Sequence, residues 1–323
     1  MCALLHGGTT RADRRTAPTW MAEDQPVHQP EAHVQGEIAS QPDCWARALR
    51  SADEAATVLP GRGERVAVIG CGTSWHIASA IAAAREAAGH GETDAFPASE
   101  LPVRDYDAML AVTRSGTTIE VLDALRNTRG SVRKIGITAD ASAPIRAVTD
   151  QLLVLDYADE RSVVQTRFAT TVLTVARAHV GHDLVPVIEQ ARAAVAADLD
   201  DALIDRPHYV FLGRGWSTGV AREAALKVEE AASAWSEAYP SLEYRHGPIS
   251  TATGDSVVWL LGVDDDVLVS DIRRTGATVV VAGVDPQAEL VLIQRVAVAT
   301  AQARGLDPDR PRHLARSVVY TGQ

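Results

Sequence analysis

Two stretches of this chain repeat one design: an apolar run enters a Gly-x-Gly turn whose hydroxyls open a helix. The first is Val66-Ala67-Val68-Ile69-Gly70-Cys71-Gly72-Thr73-Ser74. The second is Tyr209-Val210-Phe211-Leu212-Gly213-Arg214-Gly215-Trp216-Ser217-Thr218. Such a turn aims backbone N–H groups and hydroxyls at a helix N-terminus, where a phosphate is favoured. Only the first copy is joined by a second hydroxyl-rich turn, Thr113-Arg114-Ser115-Gly116-Thr117-Thr118. A duplicated α/β fold with a single phosphate site is the expectation.

Around these turns, short apolar runs alternate with helix-length segments. Strands are expected over 66–69, 108–112, 134–137 and 152–155, with helices over 37–56, 74–88 and 117–127. Helices over 164–180 and 185–202 link the halves. The order then repeats, with strands over 210–212, 257–261 and 278–282 and helices over 217–234, 267–275 and 289–304. Apolar runs of this length between turn signals read as buried parallel strands. The pattern predicts an α/β protein of two tandem units, each a three-layer α/β/α doubly wound parallel sheet, with ligands at the carboxyl ends of the strands.

A chain of 323 residues, 46% hydrophobic and 23% charged, suits two soluble domains. The net charge of −11 argues against a nucleic-acid surface and leaves any anion site to local donors. Cys2, Cys44 and Cys71 form no CxxC pair, which fits a reducing cytoplasm and offers neither a disulfide framework nor a zinc site. No apolar run approaches the ~20 residues of a membrane span. Residues 1–33, with scattered Arg and Pro and no lasting periodicity, read as a disordered tail.

Neither turn completes a dinucleotide fingerprint, because Trp75 and Thr218 stand where the third glycine would be; neither is followed by the lysine of a Walker loop. Each turn alone is equally well explained as a tight turn with a capping hydroxyl. Ser74 together with Thr113, Ser115 and Thr118, however, puts four hydroxyls at the ends of neighbouring strands, and that convergence favours phosphate. The histidines, among them His76, His179 and His182, show no metal-ligand spacing, so no metal and no cofactor are expected.

Gly70-Cys71-Gly72-Thr73-Ser74, Thr113–Thr118 and Glu243-Tyr244-Arg245-His246-Gly247-Pro248 together resemble the sugar isomerase (SIS) family, most closely the isomerase half of glucosamine-6-phosphate synthase. Glu37-Ile38 with Gln41-Pro42, Val163-Val164-Gln165-Thr166-Arg167, Ala225-Leu226-Lys227-Val228-Glu229-Glu230 and the tail from Asp309 to Val318 match in the same order. The likeness runs from about residue 34 to the end. Cys2 is followed by neither the length nor the motifs of a glutaminase domain, so none is expected. The resemblance implies SIS domains over 34–195 and 196–306, with residues 307–323 as a tail over the active site.

Position by position, the resemblance assigns phosphate contacts to Ser74, Thr113, Arg114, Ser115 and Thr118. Val163 and Val164 border the sugar, and Lys227 and Arg316 belong to the substrate site. It makes Glu230 the base that moves a proton between C1 and C2. It makes His246 the ring-opening residue, supplied by the neighbouring subunit of a homodimer. Thr113 and Arg114 replace the family's usual Ser and Gln. Arg316 stands where the family has its Schiff-base lysine, and a guanidinium is no carbonyl nucleophile. Lys227 and Glu230, three apart, share a helix face. By spacing alone they form a solvated ion pair worth about a few tenths of a kcal/mol.

The expected function is therefore abstraction of the C2 proton of an open-chain hexosamine 6-phosphate. Loss of the imine lysine tips the expectation toward a lyase that eliminates water from N-acetylglucosamine 6-phosphate. A phosphosugar isomerase or a glucosamine-6-phosphate deaminase is the alternative, and a non-catalytic sugar-phosphate sensor is the reading from another class.

Overall fold

The computed structural model describes residues 33–128 and 130–316. The expected disordered tail thus lies outside the described residues except for His33, as do the matched tail residues beyond Arg316. Three helices open the described chain: α1 (His33–Ala39), α2 (Gln41–Arg50) and α3 (Ala52–Val58). They are followed by β1 (Val66–Gly70), α4 (Thr73–Ala87), β2 (Thr93–Pro97), β3 (Ala108–Val112), α5 (Ile119–Asn127), β4 (Arg133–Thr138) and β5 (Gln151–Val154). The helices α6 (Arg167–His179) and α7 (Val185–Ala196) lead to β6 (His208–Gly213), α8 (Ser217–Ala232), β7 (Trp235–Pro240), β8 (Ser256–Leu261), α9 (Asp266–Arg273), β9 (Thr278–Val281) and α10 (Pro286–Ala303).

The strands form two parallel sheets, ordered β2-β1-β3-β4-β5 and β7-β6-β8-β9. The parallel α/β architecture expected from alternating strands and helices is present in both halves. The repeat extends to register: Gly70 pairs with Pro97 and Gly213 with Pro240. In each sheet the chain first steps to one side of the leading strand, then crosses to the other. That reversal opens a crevice between β1 and β3 and another between β6 and β8.

Two strands, β2 and β7, escape the apolar-run pattern. Thr93-Asp94-Ala95-Phe96-Pro97 and Trp235-Ser236-Glu237-Ala238-Tyr239-Pro240 are edge strands with mixed polarity. An edge strand needs only one apolar side and tolerates a terminal proline. The second linking helix stops at Ala196, earlier than its apolar pattern suggests.

Alternation along the strands separates three regions of core. Val66, Val68, Leu110 and Val112 of the first sheet join Tyr209, Phe211 and Trp259 of the second in one continuous core, shared with helices α4, α6, α8 and α10. The outward residues Ile69, Met109 and Ala111 pack on Val121, Leu122 and Leu125 of α5. Val210, Leu212, Val258 and Leu260 pack on Leu268, Val269 and Ile272 of α9. Within the shared core α8 lies close against α4: a Cβ on Gly219 would sit 2.6 Å from the Ala80 nitrogen. That close approach carries side chains of the second half to the crevice of the first.

Candidate active site

The first crevice is built from two turns on adjacent strands. At the end of β1, Gly70 lets the chain fold back on the first turn of α4, since a Cβ there would lie 2.6 Å from the Ser74 carbonyl carbon. The N–H groups of Ser74 and Trp75 bond to the Cys71 and Gly72 carbonyls at 3.1 and 2.9 Å. At the end of β3, the Thr113 hydroxyl accepts from the Gly116 N–H at 3.2 Å and meets the Thr118 hydroxyl at 3.2 Å. Ser115 Oγ accepts from the Thr117 N–H and hydroxyl at 3.3 and 2.9 Å.

Ser74, Thr113, Ser115 and Thr118 line one cavity of about 240 Å³, together with Val163, Gln165, Glu230 and Arg316. The sequence-assigned hydroxyls and the assigned base thus share one space. A larger cavity of about 380 Å³ near Tyr106 and Met109 is lined by none of the sequence-assigned site residues.

Glu230 reaches this cavity from α8. Lys227, 1% exposed, donates from Nζ to Thr73 Oγ1 at 2.8 Å and to Glu230 Oε2, and lies 3.3 Å from Glu223 Oε1. The Glu223 side chain is fully buried, and its other oxygen lies 3.5 Å from His76 Nδ1. Removal from water raises the Glu230 pKa, opposed by Lys227 and reinforced by Glu223. Burial alone would lower the Lys227 pKa, but the two carboxylates outweigh it and raise it, so the amine is held as ammonium. A carboxylate with raised basicity beside a fixed cation can take a carbon-bound proton and stabilise the oxyanion that forms.

Lys227 and Glu230 are therefore part of a buried charge chain, not the solvated pair that spacing alone suggests. Glu223, His76 and Thr73 went unassigned. Glu223 carried a signal, since it precedes Lys227 by four residues on the same helix face. His76 and Thr73 belong to another helix, and only the contact of α8 with α4 brings them in.

The remaining assigned residues divide. Val163 borders the cavity, whereas Val164 is buried outside its lining with its carbonyl accepting from Ser162 Oγ at 2.8 Å. Arg114 touches the cavity, but its guanidinium donates to the Ser162 and Arg316 carbonyls at 3.0 and 2.6 Å. The Arg316 guanidinium lies on Asp159 at 2.8 and 2.9 Å. His246, in the turn Glu243–His246, is exposed and does not line the cavity of its own chain. Glu37 and Gln41, two of the matched motif residues, are structural. Glu37 accepts from Ser162 Oγ and the Arg161 N–H, and Gln41 accepts from Thr170 and donates to Gln294 at 2.7 Å each.

The second crevice is closed by its own turn. Ser217 Oγ accepts from the Arg214 N–H and donates to the Leu261 carbonyl, both at 2.8 Å. Its hydroxyl is consumed where that of Ser74 faces a cavity.

No family model matches the chain. The glutamine–fructose-6-phosphate aminotransferase (isomerizing) of Sulfurisphaera tokodaii is 28% identical over 294 residues, covering 79% of this chain and 50% of that protein. The chain spans about half the length of the curated relatives it matches first. A crystal structure of glucosamine-6-phosphate deaminase from Thermotoga maritima superposes with a TM-score of 0.74 at 26% identity, covering 89% of this chain and 99% of that one. The C-terminal domain of the glucosamine-fructose-6-phosphate aminotransferase from Francisella tularensis gives a TM-score of 0.73 at 20% identity, with 87% and 98% covered, a likeness of fold.

Parallel α/β sheets with a crevice at the strand ends define the class, and the chain's homologues are the isomerase (SIS) domain of glucosamine-6-phosphate synthases. The tagatose-6-phosphate ketose/aldose isomerase of Escherichia coli shares the fold, with a TM-score of 0.73 at 18% identity.

Proposed function

We propose that this protein is an amino-sugar-phosphate enzyme in which Glu230 removes the C2 proton of an open-chain hexosamine 6-phosphate. The phosphate is bound by Ser74, Thr113, Ser115 and Thr118. The single observation that carries the reading is that Glu230, its pKa raised, shares one cavity with those four hydroxyls. Phosphate binding at one end would place C1 and C2 toward the carboxylate and the Lys227 ammonium. We assign SIS domains to 34–195 and 196–306, with residues 307–316, the last described, as a tail that reaches the site.

The 2-substituent decides the outcome. With a free amine, the proton moves from C2 to C1, and water adds to the resulting C2 imine to release ammonia and a ketose 6-phosphate. The likeness to the Thermotoga maritima deaminase over nearly its whole length favours this branch. With an N-acetyl group the nitrogen leaves poorly, and the enolate instead expels the 3-hydroxyl as water. The replacement of the imine-forming lysine by Arg316 keeps this lyase branch open. A ring-opening group is needed in either case; His246, exposed and outside its own chain's cavity, would serve a neighbouring subunit of a homodimer.

The test is mass spectrometry of the protein incubated separately with glucosamine 6-phosphate, N-acetylglucosamine 6-phosphate and fructose 6-phosphate. Ammonia release, water loss or isomerisation identifies the branch, and no change with any substrate refutes the enzyme reading. Glu230→Gln should lower turnover about 10²–10⁴-fold with binding retained. The acid limb of the kcat/KM profile should lie above the ordinary glutamate value of about 4.3, because the base form accumulates only above a raised pKa.

A further inference from the structure

Arg114 belongs to the hydroxyl-rich turn and borders the same cavity, yet its guanidinium bonds to main-chain carbonyls and to none of the hydroxyls. It is 2% exposed, and its main-chain carbonyl accepts from the Ala139 N–H and the Thr138 hydroxyl at 3.0 Å each, which fixes its position. Its two terminal nitrogens are occupied by the carbonyls of Ser162 and Arg316. The acidic groups that support its charge are Glu160, Asp159 and Glu37. Both terminal nitrogens are thus taken by main-chain carbonyls, the carboxylates act only at a distance, and the buried Nε has no hydrogen-bond partner.

The far end of this clamp is the C-terminal segment. Asp309 anchors that segment upstream, its carboxylate accepting the His33 and Val34 N–H groups at 3.0 and 2.8 Å and its carbonyl the Val163 N–H at 3.3 Å. Between Asp309 and the Arg114 clamp, Leu314, Ala315 and Arg316 form part of the cavity wall that also includes Ser115 and Glu230. The Arg316–Asp159 pair is half-exposed, and such a pair holds weakly by itself. The buried clamp, a charged donor on two carbonyls, is the stronger tie.

We propose that Arg114 is a positioning residue that locks residues 314–316 in place as a wall of the sugar-phosphate pocket, and that it is not a phosphate ligand. The clamp deepens the function proposed above and rests on it only for the identity of the ligand. A glutamine at this position has one amide in place of a forked cation and cannot hold both carbonyls, so the wall loosens while the hydroxyls stay in place.

Hydrogen exchange over residues 312–316 of the unliganded protein tests the clamp directly. Arg114→Gln should speed exchange there by roughly ten- to a hundredfold, whereas Ser115→Ala should leave it unchanged. Asp159→Asn, an exposed change with the clamp intact, should speed it by no more than about fivefold. In glucosamine 6-phosphate titrations, Arg114→Gln should weaken binding together with the loosening, and Ser115→Ala without it. Unchanged exchange in Arg114→Gln, or weakened binding with the segment still protected, overturns the proposal. So does full release of the segment by Asp159→Asn, which keeps the test decisive if Arg114→Gln fails to fold. If no sugar phosphate binds the wild type, the proposed function fails, while the exchange comparison still decides the clamp.

Discussion

Replacing Lys227 by methionine keeps most of the volume of a side chain that is 1% exposed and removes its charge. Glu223 is then stranded. Its carboxylate is fully buried, neither oxygen has a hydrogen bond, and its polar neighbours are the Lys227 ammonium at 3.3 Å and the His76 ring at 3.5 Å. Breaking a buried pair from one side costs about 3–5 kcal/mol, against about 0–1 kcal/mol for an exposed pair. Urea unfolding near neutral pH should therefore show Lys227→Met less stable by about 3–5 kcal/mol. Lys227→Met with Glu223→Gln should recover part of that loss, since the fully buried Glu223 carboxylate is gone while Glu230, whose side chain is 20% exposed, keeps access to water. The sign of the pH dependence follows. In the wild type the raised Lys227 pKa means its stabilisation is complete at neutral pH and is lost only in strong alkali, as pH rises through the folded value. A loss below about 1 kcal/mol, or no recovery in the double variant, would refute the buried charge chain.

Other outcomes follow from the same geometry. Ser115→Ala removes one hydrogen bond to a charged ligand, worth about 1.5–3 kcal/mol, so glucosamine 6-phosphate should raise the Tm of the wild type much more than that of the variant. Equal shifts would remove Ser115 from the phosphate site. If His246 serves a neighbouring subunit, inactive Glu230→Gln and inactive His246→Ala chains should regain part of the activity on mixing, because some hybrid sites hold both native groups. A monomer by sedimentation, or no recovery after verified subunit exchange, would count against a shared site.

Local patterns carried the first half of this site, and tertiary contact carried the rest. The glycine–hydroxyl turns were legible because a sharp strand-to-helix reversal needs glycine where Gly70 meets Ser74, and an anion cradle needs hydroxyls within a few residues of it. Strands β1, β3, β6 and β8 were legible because both of their faces are buried. Strands β2 and β7 lack that signature, being half-covered edges. Spacing placed Lys227 and Glu230 on one helix face but could not say whether that face met water. Arg114 marks a different limit: its position in the motif was readable, but the direction of a long flexible side chain depends on carbonyls 48 and 202 residues away in sequence.

The two halves explain each other once their differences are set side by side. Both have the same strand reversal and the same Gly-x-Gly turn, so each begins with a crevice suited to an anion. In the second half Ser217 spends its hydroxyl on the Arg214 N–H and the Leu261 carbonyl, and β8 is followed by Gly262-Val263-Asp264, with no hydroxyl-rich turn. That half contributes instead through the helix behind its turn. Gly219 has no side chain to keep α8 away from α4, and the helix runs on to present Glu223, Lys227 and Glu230 toward Thr73 and His76 of the first half. In the proposed function, phosphate recognition and proton transfer would thus come from different halves of the chain. A bulky residue at position 219 would separate them without touching either, which makes the close contact of α8 with α4 the element on which the composite site depends.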